Sequence, residues 1–243
     1  MSGAAAEAKD DKERAAGPSQ VGVYTVGHRR LEIAAILAHI ALSVYLAMRI
    51  SGELAAGGKG WWALGAAFLG YMTADFVSGW VHWLADNYGT EHTPIVGPTF
   101  VRTFREHHLD QKAITRHDFI ETNGDSCVVS APVLALVAIF VPAMPGVGWA
   151  VGIHTFTLAM CLGVLLTTQS HKWSHMEDPP LVARVLQSMR LVINPRHHAK
   201  HHRGMHDTHY CITTGWLNPV LQTVRFWDGM KKLFLLFGLK QTS

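Results

Sequence analysis

Leu31–Ile50 is a run of mostly apolar helix formers whose only charges, Glu32 and Arg49, stand at its rims, within reach of a headgroup layer. Such a run is long enough to cross hydrocarbon roughly 30 Å thick. A chain with several of them is bound to helices, because lipid offers no water to unpaired backbone groups. Trp61–Leu84 is a second run, with Trp61, Trp62, Trp80 and Trp83 near its ends as interfacial anchors would be. Ser126–Val141 is shorter and stops at Pro142 and Pro145, and Gly146–Thr168 follows. These last two read as a hairpin whose first leg is tilted or incomplete, for about four spans in all. His39, inside the first run, reads as a packing residue.

Charge placement supports that count. Four spans put residues 1–30, 85–125 and everything after 170 on one side, and these hold 19 of the 21 Lys and Arg. The bias puts the termini and the central loop in the cytoplasm. The expected fold class is all-α: a multi-span membrane helical bundle with a cytoplasmic His-rich cap. Residues 1–25 are expected to be a disordered polar tail, not a signal or transit peptide, and 26–243 a single membrane-embedded domain. Leu181–Ile193 and Leu217–Leu239 mix apolar and basic residues, as surface-lying amphipathic segments do. A net charge of +3 is too small to imply a nucleic-acid partner.

Sixteen histidines beside three cysteines without a Cys-x-x-Cys pair put the chemistry on imidazole. His197, His198, His201, His202, His206 and His209 crowd one stretch. If it is helical, His198 and His202 share a face, as do His197 and His201. Alone, this would read as a metal-scavenging surface tract. Matching groups elsewhere point instead to a built site: His82 and Asp86, His107 and His108, and His171 and His175, all on the cytoplasmic side. A closed structural zinc site takes four ligands. Eight histidines (His82, His107, His108, His171, His175, His198, His201 and His202) exceed that, so two metals are expected. Asp86 is a ninth ligand or an acceptor that fixes an imidazole tautomer. Imidazole suits zinc, copper, iron and nickel alike, and oxygen chemistry or hydrolysis would both fit. Asp75 lies on one helical stripe with Gly79, His82 and Asp86, either orienting a ligand or closing a polar packing contact. His117, His197 and His206 are expected one layer out from the metals. His28, His92, His154 and His209 read as structural or surface residues.

Thr73-Ala-Asp-Phe76, Val81-His-Trp83, Phe104-Arg-Glu-His-His108, the Ile114–Gly124 run, His171-Lys-Trp-Ser-His175 and Cys211-Ile-Thr-Thr-Gly-Trp216 resemble the plasmanylethanolamine desaturases, a branch of the histidine-box membrane desaturases and hydroxylases with bacterial relatives linked to light responses. The similarity runs from about residue 70 to 230. It implies two iron ions on the eight histidines, dioxygen as co-substrate and an ether phospholipid as substrate, desaturated at C1–C2 of its sn-1 alkyl chain to a plasmalogen. Depth agrees, since those carbons lie just below the glycerol, near the level of His82 and His171. Two alternatives stay open: acyl-lipid desaturation or hydroxylation on the same scaffold, and a non-enzymatic metal-binding membrane sensor. The sequence has no haem-attachment, dinucleotide-loop or iron–sulfur motif. Electrons are therefore expected from a separate carrier, cytochrome b5-like or a ferredoxin, docking on Lys172, Arg196, Lys200 and Arg203. The membrane would be the inner one in a bacterium and the endoplasmic reticulum in a eukaryote.

Overall fold

The computed structural model describes residues 24–242 except 58, 91, 94–96, 98–100, 204 and 205; most of the expected polar tail lies outside the described residues. Among the described residues there are helices and no strands. Four long helices make the bundle: α1 (Val26–Ala55), α2 (Gly60–Asn87), α5 (Phe119–Phe140) and α6 (Gly148–His175). Short helices α3 (Arg102–Leu109) and α4 (Ala113–Arg116) fill the central loop; α7 (Leu181–Ser188), α8 (Pro195–His198), α9 (Asn218–Thr223) and α10 (Phe226–Leu236) follow the bundle.

α1, α5 and α6 are each long and apolar enough to cross a membrane. α2 is 28 residues long but is not among these three, its apolar run being broken by Asp75 and His82. Leu37, Val44 and Met48 on α1, and Leu64 and Phe68 on α2, are exposed, an apolar surface that lipid would cover. α2 lies along α6. The two approach through small residues: a Cβ on Gly70 would sit 2.3 Å from the Phe156 carbonyl oxygen, and one on Gly163 would sit 2.6 Å from Ala74. Backbone-close packing of this kind holds helices together where lipid removes the hydrophobic drive.

α5 is long enough for a full span, where a tilted or incomplete leg was expected. It begins seven residues before Ser126 because Asp118 caps it, accepting from the Glu121 amide at 3.0 Å. Its polar first turns, facing the site described below, hid the helix from hydropathy. Two arginines of α1 clamp it. Arg29 pairs with Asp118 at 2.6 Å, and Arg49 donates to the Ala138 and Val141 carbonyls at 2.8 Å each, groups a helix end leaves without partners. Between them His39 Nδ1 meets Ser130 Oγ at 2.9 Å, the packing role expected. At the opposite end from the histidine groups, His154 Nδ1 lies 3.0 Å from Glu53 Oε2, and Glu53 Oε1 accepts from the Met144 amide at 3.1 Å.

The amphipathic stretches are shorter than expected. α7 exposes Leu181, Val182 and Val185; the later stretch is split into α9 and α10 at Arg225, whose φ is 52°.

Candidate metal centre

Four pieces of chain deliver the histidines. α2 ends with His82 and Asp86, α3 carries His107 and His108, and α6 ends with His171 and His175; the α8 turn brings His198, His201 and His202 over them. They converge because the C-termini of α2 and α6 emerge on the same face.

The atoms form two groups. In one, the Nε2 atoms of His171, His175, His198 and His202 stand 2.8–3.2 Å apart in successive contacts. In the other, His108 and His201 Nε2 are 2.9 Å apart, and Asp86 Oδ2 lies 3.3, 3.6 and 3.9 Å from the Nε2 atoms of His82, His201 and His108. His107 belongs to both, its ring centroid 4.7 Å from that of His171 and 4.3 Å from that of His108.

Three observations test whether such groups suit metal ions. The first is spacing: four nitrogens about 2.1 Å from one ion would stand about 3.4 Å apart in a tetrahedron, close to what is seen. The second is tautomer. His82 Nδ1 contacts the Tyr210 carbonyl at 3.1 Å and His201 Nδ1 the Thr208 carbonyl at 2.8 Å. A carbonyl only accepts, so Nδ1 holds the proton and each Nε2 presents a lone pair inward. The third is the absence of other partners. His82 Nε2, His107 Nε2 and both Asp86 oxygens are buried without hydrogen bonds among the described residues. A buried carboxylate so placed is costly unless a cation joins it. Burial, reinforced by neighbouring imidazoles, holds His107, His198 and His201 far below the usual histidine range and pushes His108 and His202 down to about 3. They are neutral, as ligands must be.

All eight histidines and Asp86 therefore lie together in this cluster. Of the residues expected one layer out, His206 does stand there, stacked on His108 with centroids 4.3 Å apart and planes at 9°. His197 turns away to Asn218, 3.1 Å from its Nδ2. Asp75 orients no histidine. Its carboxylate accepts from the amides of Thr214, Gly215 and Leu217 at 2.7, 2.9 and 3.2 Å, because a buried acid takes the nearest donors and a loop has free ones. His117 stands apart from the cluster, beside Glu121 at 3.7 Å.

Sequence reasoning missed the carbonyls of Thr208 and Tyr210, which carry no side-chain signal. It also missed a polar group at the start of the bundle. Glu32, expected at a headgroup rim, is 1% exposed, and His28, expected as a structural or surface residue, joins it with Asp125. The available signal was the pair of acids Glu32 and Asp125 within helices that are mostly apolar.

A family model described as a lipid desaturase domain matches residues 71–242, a stretch containing all nine cluster residues. The chain belongs to the lipid desaturase family. It is accordingly a membrane oxidoreductase, and family and histidine cluster together indicate metal binding. The chain is 46% identical over 210 residues to the plasmanylethanolamine desaturase of Myxococcus xanthus, covering 86% of this chain and 73% of that one. With plasmanylethanolamine desaturase 1 of Mus musculus it shares 43% over 171 residues, 68% of this chain and 62% of the mouse protein. The chloroplastic fatty acid desaturase 4 of Arabidopsis thaliana is 35% identical over 173 residues, 70% of this chain and 50% of its own length. No solved structure matches the chain.

Proposed function

We propose that this lipid desaturase forms the vinyl ether double bond between C1 and C2 of the sn-1 alkyl chain of an ether phospholipid, using dioxygen at two iron ions. The observation that carries this reading is the 46% identity, over most of the chain, to a relative named for that activity. The cluster's place at the ends of membrane helices supports it, since those carbons lie just beneath the headgroup.

His107, His171, His175, His198 and His202 would hold one ion, and His82, Asp86, His108 and His201 the other, with His107 between them. Bound iron would supply the oxidising power that acid–base side chains lack for unactivated C–H bonds. The chain's own part is positional. The Tyr210 and Thr208 carbonyls keep His82 and His201 in the ligating tautomer, Asp86 offsets positive charge, and burial keeps bulk water away. Dioxygen takes two electrons and two protons with the lipid hydrogens, and two further electrons and protons from outside, leaving two waters and the alkene.

The outside electrons come from a carrier, cytochrome b5-like or a ferredoxin. Arg196, Lys200 and Arg203, exposed beside His198 and His202, are the docking cations. Lys172 drops from that patch because its ammonium turns inward to the His117 carbonyl. The charge bias puts this face in the cytoplasm, of a bacterial inner membrane or an endoplasmic reticulum.

The test is isotopic. Alkyl-ether phosphatidylethanolamine deuterated at C1 and C2 loses one deuterium from each carbon and becomes acid-labile. Retention of both labels, with a new double bond deeper in either chain, transfers the assignment to acyl-lipid desaturation.

A further inference from the structure

A cavity of about 90 Å³ opens beside the histidine cluster, between α1, α3, α4, α5 and α6. Its lining combines two chemistries. His107 and His171 belong to the metal groups; His28, Glu32, Glu121 and Asp125 do not. His107 is 2% exposed, and its Nε2 has no hydrogen-bond partner among the described residues.

The acidic side is built deliberately. Glu32 is seated against Gly124, where an added Cβ would lie 2.4 Å from the Glu32 Cβ and Cγ. The Ile114–Gly124 run thus leaves the space that lets a carboxylate enter the helix packing, and its His117 and Glu121 also line the cavity. His28 Nε2 faces Asp125 Oδ1 at 3.1 Å and Glu32 Oε1 at 3.6 Å, while the Tyr24 hydroxyl donates to the other Glu32 oxygen. With carboxylate oxygens on both sides, that ring nitrogen is placed to donate to either of them. What remains on Glu32, Asp125 and Glu121 is a set of spare acceptors around a small space. An R–NH₃⁺ group has three N–H donors in a compact charge and fits that set; a trimethylammonium is bulkier and has none.

We propose that this cavity is a headgroup subsite in which Glu32, Asp125 and Glu121 receive the primary ammonium of a phosphoethanolamine lipid. Arg102, also in the lining, is a cation of the kind that would meet the phosphate. A headgroup seated here is anchored within the same cavity that reaches His107 and His171, bringing the first carbons of the sn-1 chain to the metals. The inference rests on the ether-phospholipid reading above and adds to it the residues that select the headgroup. A site built on hydrogen bonds rejects an analogue lacking them strongly, since its buried acceptors are left unpaired.

The experiment uses the full chain in lipid nanodiscs with alkyl-ether phosphatidylethanolamine and its N-trimethyl counterpart, alkyl-ether phosphatidylcholine. In Glu32→Gln, KM for the ethanolamine lipid is expected to rise about 10-fold or more. The choline lipid's KM and the metal content per chain should stay at wild-type values. Glu121→Gln, at a less buried position, should show the same selective loss should the Glu32 variant fold poorly. Asp178→Asn, an exposed control, changes neither lipid. An equal rise for both lipids makes the group structural only, an unchanged KM removes it from recognition, and loss of one metal equivalent makes it an ion site; each overturns the proposal. If wild-type protein turns over neither lipid, binding decides, read from tryptophan fluorescence with lyso-phosphatidylethanolamine and lyso-phosphatidylcholine. Preference for the ethanolamine form that disappears in Glu32→Gln upholds the subsite although the desaturase reading fails. No preference overturns the subsite as well.

Discussion

His82 gives its Nδ1 proton to the Tyr210 carbonyl oxygen, 3.1 Å away across more than a hundred residues of chain. This contact ties the end of α2 to the segment 208–214 and leaves Nε2 aimed at Asp86. Asn218 then holds the same segment from behind, bonding both the amide and the carbonyl of Cys211. The ligand-bearing helix end and its backbone support are thus one unit.

Two irons per chain are expected by metal analysis of protein prepared without chelator. His198→Ala and His201→Ala, one from each group, should each lose about one iron and lower turnover at least 100-fold while the protein still inserts. A single tight zinc, with turnover indifferent to iron chelation, would contradict the assignment.

Asp75→Ala should destabilise the protein by about 3 kcal/mol or more, because two buried amides and a half-buried one lose a charged acceptor together. Asp75→Asn, keeping one acceptor, recovers part of this in thermal unfolding. The metal content of the folded fraction should equal that of wild type; selective metal loss at unchanged Tm would return Asp75 to the metal site.

His154→Ala is expected to spare turnover and to cost about 1–3 kcal/mol in stability, since Glu53 stays buried with the Met144 amide as its remaining donor in the structure. An unchanged melting temperature would show that the pair contributes nothing.

Acid should loosen the α1–α5 clamp. Arg29 and the Glu121 amide hold the Asp118 carboxyl below the usual aspartate range. The carboxylate's contribution is therefore present above about pH 4 and lost as pH falls through the lowered value. Both partners are exposed, so the effect is small. It appears as a slightly shallower acid-unfolding curve in Asp118→Asn; a curve identical to wild type would remove the clamp from the acid response.

Charge reversal at Arg196, Lys200 and Arg203 together should slow turnover driven by an acidic carrier protein and remove its salt dependence, while turnover with a chemical reductant is kept. Equal slowing with both donors would place these residues in the lipid site.

Most of the span positions and the gathering of the histidine groups with Asp86 on one face were legible in the sequence. Hydropathy reports directly on lipid burial, and imidazoles four apart on a helix share a face whatever surrounds them. Tertiary structure alone decided how those nine residues divide into two groups sharing His107, because division depends on how four separate chain segments approach in space. It alone showed Asp75 serving a loop, and Glu32 drawn into the packing opposite Gly124. A charge near the end of an apolar run looks the same in sequence whether it snorkels or is buried. Only a neighbour without a Cβ, ninety residues away, distinguishes the two.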